Sequence, residues 1–584
     1  MDQALGLAVE TAATTGDPAV DGRVRWLVGV IAMLSPDGVE ADLLENDPDP
    51  VTGAAIVRCV QGSLLSWSTD ARVLVMHRLT ARLIREHATT TGGLDALVAA
   101  AVAVLKPRLF DDSEAFRRRN EGARLVEHID TLTEHTSIHS PDPDTRSGVL
   151  AARRWVTLQL AKAADLQRAI PHAEHTYTAH HRAMGDDHPD TMTTRHQLAY
   201  VYQEAGRVGD AIQEYEQLLA DRRRVLGDDH PDTLTTRNQL AVAYRAAGRV
   251  GDAIQEYEQL LADRRRVLGD DHPDTLTTRH NFAYAYREAG RVGDAIQEYE
   301  QILTDRRRVL GDDHPSTLTT RGSLASAYRA AGRVGDALQE FEQLLADRRR
   351  VLGDDHPDTL TTRNNFAYAY REAGRVGAAI QEYEQLLTDK RRILGDDHPS
   401  TLTTRNQLAV AYRAAGRVGD ALQEFEQLLA DRRRVLGDDH PDTLTTRNNL
   451  AYAYRAAGRI GDALHEYERV LTDKRRILGD DHPDTLTTRH NFAYAYRAAG
   501  RIGDAIQEYE QILTDRRRVL GDDHPSTLTT RGSLASAYKE AGRVGDALQE
   551  YEQLLTDRRR VLGDDHPSTL ITRDNLAAAR DQNR

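Results

Sequence analysis

A stretch of 42 residues opens at His230 and begins again, almost unchanged, at His272. The same His-Pro pair opens a unit at His188, His230, His272, His314, His356, His398, His440, His482, His524 and His566, giving nine full copies and a half copy. No other feature restricts the fold so strongly. A fixed period of roughly 20–50 residues marks a stacked array, in which each unit is too small to bury its apolar face alone and does so against its neighbours.

Within the unit from His230, apolar and small residues fall at Leu234, Leu240, Ala241, Tyr244 and Ala247, close to helical spacing. Gly248 breaks the run, and Val250, Ala253, Ile254, Tyr257, Leu260, Leu261, Val267 and Leu268 form a second one. Each unit therefore reads as two helices, A and B, with Gly past the ends and Pro near the starts. The residue after His-Pro is always Asp or Ser, as at Asp232 and Ser316. Both are leading helix caps, so this position is expected to cap helix A. Asp252 should favour the start of helix B, and Ala378, which replaces that Asp in one copy, should weaken it. In the terminal half copy Arg580 and Asp574 take the places of Tyr244 and Asn238. Such swaps suit the solvated end that a solenoid requires.

The core of the unit, Asn238-Gln-Leu-Ala-Val-Ala-Tyr-Arg-Ala-Ala-Gly248 with Ala253 and Tyr257, resembles a tetratricopeptide repeat. The long period and the Leu-Gly-Asp-Asp-His-Pro link resemble the kinesin-light-chain type of that family. The resemblance implies an all-α, right-handed superhelical solenoid of helix-turn-helix repeats, with helix A lining a concave groove that binds peptides or protein surfaces. Nine copies are expected over residues 188–565, a degenerate first repeat over 146–187, and a capping helix over 566–584.

Residues 1–145 lack the repeat. Residues 23–34 read as an apolar helix closed by Ser35-Pro36-Asp37-Gly38, residues 51–65 as a second helix, residues 64–76 as a short hairpin, and residues 79–87 as a helix with Leu79, Leu83 and Ile84 on one face. That order suggests a small winged-helix-like module. Met76-His77-Arg78-Leu79-Thr80-Ala81-Arg82-Leu83-Ile84-Arg85 resembles the element after the nucleotide-binding core of STAND-class NTPases of the NB-ARC type, and Leu125-Val-Glu-His-Ile-Asp-Thr-Leu132 resembles their link to repeat arrays. Actinobacterial members have this order, so a bacterial chain is implied. The Gly-x4-Gly-Lys-Ser/Thr loop that cradles phosphates is missing, and no Lys follows a Gly, so ATPase activity is not carried over. A separate STAND-type NTPase would be the natural partner on this resemblance.

The 584 residues carry a formal charge of −15, which disfavours a nucleic-acid partner. One cysteine, Cys59, excludes a disulfide framework. Residues 1–15 show no leader, and no run is long and apolar enough for a membrane span, so a cytoplasmic chain is expected.

Candidate site residues come from the positions where near-identical copies differ. One series runs His196, Asn238, His280, Gly322, Asn364, Asn406, Asn448, His490 and Gly532. A second runs Tyr200, Val242, Tyr284, Ser326, Tyr368, Val410, Tyr452, Tyr494 and Ser536, one helical turn on. A third runs Gln203, Arg245, Arg287, Arg329, Arg371, Arg413, Arg455, Arg497 and Lys539. Asn can bond a peptide backbone, Tyr offers area with a polar tip, and Arg grips carboxylates, so a groove for a protein or peptide ligand is expected, in particular an extended or acidic segment. The Arg264-Arg265-Arg266 run could stack into a basic stripe, against a solvated face balanced by the loop Asp pairs. A DNA-binding regulator is the further alternative. Gly-Asp-Asp-His-Pro lacks metal-ligand spacing, and the cluster His172, His175, His180 and His181 reads as a helix surface before it reads as a metal site. No catalytic motif is present and no cofactor is expected. The favoured reading is a non-enzymatic binding scaffold or sensor.

Overall fold

The computed structural model describes residues 8–14, 16–44, 50–69, 71–111, 114, 118–135 and 142–582. Residues 1–7, part of the stretch read for a leader, lie outside that set, as do the last two residues. The chain forms two compact units, residues 1–204 and residues 205–584.

In the first unit, α1 (Pro18–Met33) is capped by Asp17, whose carboxylate accepts from the Ala19 N–H at 2.9 Å. It leads to β1 (Val39–Glu40), α2 (Ala41–Leu44), α3 (Pro50–Gln61), β2 (Ser66–Trp67), β3 (Val73–Val75) and α4 (Arg78–Thr91). The expected hairpin is β2 with β3, antiparallel. β1 adds a third strand on the other side of β3, in the order β1-β3-β2. Two residues are too few to show an alternation, which is why β1 left no trace in the pattern.

The face assigned to α4 needs correcting. Leu83 and Ile84 are half-buried, but Leu79 is 43% exposed, and Ala81 and Ala88 are the buried residues. His77 caps the helix, and its small inward residues let α4 lie against α1, where Arg85 donates to the Ala32 carbonyl. Residues 94–105, almost wholly apolar and therefore without a helical period, form α5 (Leu94–Leu105). Next come α6 (Arg119–Glu134), α7 (Pro143–Lys162), α8 (Leu166–Met184) and α9 (Pro189–Glu204). The pair α7 and α8 lies where the degenerate repeat is expected.

In the second unit each copy is the same two helices. From His230 they are Pro231–Ala246 and Val250–Leu268, and from His272 they are Pro273–Glu288 and Val292–Leu310. The last helix is Pro567–Gln582. The cap of helix A is not the residue after His-Pro. It is the histidine: His230 is extended (φ −67, ψ 137), and its Nδ1 accepts the Asp232 N–H at 3.2 Å. Pro fills the first helical position, where no N–H is needed, so the Asp or Ser falls in the first turn as the donor to the cap. Nδ1 must be unprotonated to accept, so this cap requires a neutral ring with its proton on Nε2.

Packing is shared between copies. Ala241, Ala253, Tyr257 and Leu261 of one copy join Phe282 and Ala285 of the next in one buried cluster. Each large side chain fully buried this way contributes about 1.5–3 kcal/mol. Arg237, 3% exposed, donates to Glu256 at 2.5 Å and Asp263 at 2.6 Å, tying helix A to helix B. Burial opposes its charge, but the two carboxylates outweigh that and raise its pKa.

The three Arg that end helix B are all engaged, and no free basic stripe forms from them. Arg264 is buried and donates to the Asp274 carbonyl and the Thr278 hydroxyl of the next copy, both at 2.7 Å. Arg265 pairs with Asp270 at 2.8 Å, and Arg266 takes Asp229 in a two-pronged grip. The loop carboxylates that look like metal ligands are the partners of these cations.

The array also meets itself. The Gly248 turn between helices A and B has φ +73, and a Cβ there would lie 2.4 Å from Pro483, six copies further along. Gly206, Gly290 and Gly332 face Pro441, Pro525 and the His566-Pro567 corner in the same way. His524 Nε2 lies 3.0 Å from the Glu288 carbonyl oxygen, and His482 Nε2 lies 3.3 Å from that of Ala246. The tautomer that caps helix A is the one that can donate here.

Candidate binding groove

Neighbouring A helices touch side by side, and the three variable series lie along that line. The first is largely used within the array. Asn238 and Asn406 are buried and accept from Asn281 (3.2 Å) and Asn449 (3.1 Å) of the following copies. Asn448 accepts from Asn491 at 3.4 Å, and Asn364 from Thr404 at 3.4 Å. His280 and His490 pair with Ser323 (3.3 Å) and Ser533 (3.4 Å), each with its ring 5.2 Å from Tyr299 or Tyr509. Burial pushes both imidazoles down to about 3. His196 is half-buried on α9 in the first unit, as is Tyr200. These Asn and His side chains are a seam between repeats before they are a lining.

The second and third series make a ladder. Tyr284 lies between Arg245 (4.0 Å from ring centre to guanidinium carbon) and Arg287 (4.1 Å). Tyr368 lies between Arg329 and Arg371, both at 4.3 Å. Tyr452 lies between Arg413 (3.9 Å) and Arg455 (4.4 Å), and Tyr494 between Arg455 (4.4 Å) and Arg497 (4.7 Å). Every one of these side chains is half-buried. Stacking holds each guanidinium by its face, worth about 0.5–2 kcal/mol, and leaves its N–H edge for hydrogen bonds. Val242, Ser326, Val410 and Ser536 are half-buried in the copies that lack the ring.

Two positions that the variation did not single out change what the ladder can bind. The residue after each ladder Arg is Glu in some copies and Ala in others. Glu288 lies 3.3 Å from Arg245, Glu372 3.0 Å from Arg329, and Glu540 3.1 Å from Arg497. Ala414, Ala456 and Ala498 stand in the copies that follow Arg371, Arg413 and Arg455, and those three have no carboxylate within 4.0 Å among the described residues. The alternation of Glu and Ala was the available signal. Behind the ladder a Tyr of helix B is buried in most copies. The hydroxyls of Tyr383 and Tyr467 have no hydrogen-bond partner among the described residues and lie beside Arg371 and Arg455. Burial pushes both phenols up.

Other candidates dissolve into separate partners. His172 meets the Thr157 hydroxyl at 2.9 Å, His180 the Thr176 carbonyl at 3.0 Å, His181 the Asp186 carboxylate at 2.7 Å, and His175 is exposed. No three metal-ligating side chains converge among the described residues. In the first unit, buried His128 accepts from the Ser35 N–H at 3.1 Å and lies 3.3 Å from Glu40, which also pairs with Arg124 at 2.6 Å. The hydrogen bond from His128 is the main cause holding the Glu40 carboxyl below its ordinary range. No helix among the described residues is long and apolar enough to cross a membrane.

Known proteins with similar features are repeat proteins. Models of the tetratricopeptide repeat match residues 158–220, 192–265, 240–307, 283–349, 324–391, 379–433 and 406–476, and a second such model matches 485–526 and 527–568. No curated protein sequence matches. Among solved structures, the putative kinesin light chain of Podosopora anserina with nearly identical repeats is 33% identical, over 35% of this chain and 97% of that one, with a TM-score of 0.31. BtubC from P. vanneervenii is 20% identical, over 41% and 93%, at 0.33. A tetratricopeptide repeat protein from Parabacteroides merdae is 14% identical, over 52% and 98%, at 0.35. With the family models covering residues 158–476 and 485–568, the chain belongs to the tetratricopeptide repeat family.

Proposed function

We propose that this chain is a non-enzymatic scaffold whose helix A ladder binds an extended, acidic segment of a partner protein. The observation that carries the reading is the run Arg371, Arg413 and Arg455, stacked on Tyr368, Tyr452 and Tyr494 and without carboxylates of its own. Burial holds the Arg413 pKa below its ordinary value, so an incoming carboxylate would relieve an unfavourable charge there. The Glu residues on Arg245, Arg329 and Arg497 leave Arg371, Arg413 and Arg455 as the one run of three consecutive ladder Arg without such a partner among the described residues. Repeat proteins of this family generally mediate protein–protein contacts, which agrees with this reading.

The test is fluorescence anisotropy with a labelled peptide of alternating Asp, Glu and Gly. Binding is expected, weakening with salt, and the triple replacement Arg371→Gln, Arg413→Gln, Arg455→Gln should weaken it at least about 10-fold, with charge-assisted bonds at stake. Arg266→Gln, outside the ladder, should leave it unchanged. Affinity that is indifferent to the triple replacement would remove the ladder as the site.

A second reading concerns the first unit: a winged-helix-like regulatory module that works with a separate STAND-type NTPase. The sheet order β1-β3-β2, together with α3 and α4 packed on α1, supports it. Capture of an NTPase that is lost on removing residues 1–145 would establish it. Capture that persists without those residues would refute it.

A further inference from the structure

The ladder has rings between two Arg at Tyr284, Tyr368, Tyr452 and Tyr494, and these rungs differ in charge. At three of them a Glu takes one of the two Arg: Glu288 at Tyr284, Glu372 at Tyr368 and Glu540 at Tyr494. At Tyr452 both Arg are left. The guanidinium carbons of Arg413 and Arg455 lie 3.9 Å and 4.4 Å from its ring centre, and neither has a carboxylate within 4.0 Å among the described residues. Where a Glu would reach them stand Ala456 and Ala498, both exposed. Burial first, then the charges of Arg371 and Arg455, hold the Arg413 pKa below its ordinary value. A further donor lies beneath this rung. The Tyr467 hydroxyl is buried, has no hydrogen-bond partner among the described residues, and lies beside Arg455, Tyr452 and Arg413. A buried hydroxyl without an acceptor costs stability. Packing does not require it, because Phe341 and Phe425 are just as fully buried in that place in the copies with Ser326 and Val410.

We propose, resting on the ladder reading above, that the rung at Tyr452 is a phosphate pocket, which takes a phosphoserine or phosphothreonine of the partner segment. Arg413 and Arg455 hold two of its oxygens by their N–H edges. Tyr467 donates to the third once Arg455 turns outward to meet the ligand. A phosphoryl group brings about −1.5 to −2 charges and three acceptor oxygens at neutral pH. That matches two guanidinium groups and one phenol, whereas a carboxylate brings one charge and two oxygens. The other three rungs, each with one cation already neutralised, suit a carboxylate. The phosphorylated residue therefore sets the register of the segment, with acidic residues on either side of it.

The test uses the full chain and labelled peptides of alternating Asp, Glu and Gly that differ only at the central residue, which is Ser, Glu or phosphoserine. In fluorescence anisotropy the phosphoserine peptide should bind at least about 10-fold more tightly than the Glu peptide. Ala456→Glu with Ala498→Glu gives Arg413 and Arg455 the Glu that other copies carry at that place, as at Glu372. It should remove the preference and leave the far-UV circular dichroism spectrum unchanged. Ala330→Glu, which supplies the same Glu to Arg287 at another rung, should keep the preference. Tyr467→Phe should reduce it and leave the Glu peptide unaffected. Equal binding of the Glu and phosphoserine peptides overturns the pocket and leaves the ladder standing, as does a preference that survives the double Glu variant. Displacement of the phosphoserine peptide by an equal concentration of inorganic phosphate overturns a segment-borne ligand. Failure of all three peptides to bind removes the ladder reading and the pocket with it.

Discussion

At the residue scale, histidine does two jobs in the repeats, and both need a neutral ring. The ten corner histidines, His188 to His566, accept a backbone N–H through Nδ1, for example at 3.1 Å in His272, His314 and His566. Burial lowers the pKa of His398, His524 and His566. His280 and His490 sit lower still, at about 3, for the same reason. An unfolded histidine takes its proton near pH 6.5, and these two take theirs only near 3. Their stabilisation is therefore present above the unfolded value and is lost as pH falls through that window. Replacing both by Asn, which the chain itself uses at Asn364 and Asn448, should flatten the dependence by up to about 1.4 kcal/mol per pH unit for each ring. Urea titrations at pH 7, 5.5 and 4.5 measure it. Equal slopes in the two proteins would contradict the assignment.

At the element scale, helix B starts through a short cluster. In the copy from His230, Arg249 precedes the helix, pairs with Asp252 at 2.6 Å and covers Tyr244 at 4.2 Å. In the copy with Ala378 the carboxylate is missing, and Arg375 lies 5.3 Å from the Tyr370 ring centre. Ala378→Asp should restore the pair and stabilise that helix start by about 0.5–1 kcal/mol, read as slower amide exchange over the first turn of Val376–Leu394. The buried triad is the larger interaction. Arg237→Ala leaves Glu256 and Asp263 without their cation, and a loss of about 3 kcal/mol is expected in thermal or urea unfolding. Arg237→Met with Glu256→Gln should recover part of it, because the desolvated charges are then fewer.

At the scale of the array, stability should follow the number of copies and of interfaces between them. Excising residues 356–397, one whole copy, brings the Gly248 turn under the corner of His524 in place of that of His482. Since those corners are near-identical, helicity per residue should be unchanged and unfolding should remain cooperative. Only the loss of one repeat and its interface should register. Excising half a copy, residues 356–375, removes a helix A and leaves two B helices adjacent, and it should unfold the array locally. Circular dichroism and thermal melts of the two deletions separate these outcomes.

The period, the two helices of each unit, their ends and the all-α array were legible in the residues, because helix period, Gly and Pro act locally and the pattern repeats. That the ladder Tyr and Arg share one face of helix A was legible too, because they lie three residues apart. The tertiary structure decided the rest. It placed the cap on His230, since Pro231 takes the first helical position and only the imidazole reaches back to the free N–H. It sent Asn238 and Asn406 into the seam between repeats, a matter of which neighbour each side chain meets across the stack. It paired the basic run with loop carboxylates, so that Arg266 meets Asp229 from the preceding loop. It also set corners against turns six copies apart, because curvature accumulates from small rotations at every interface, and no single repeat encodes their sum.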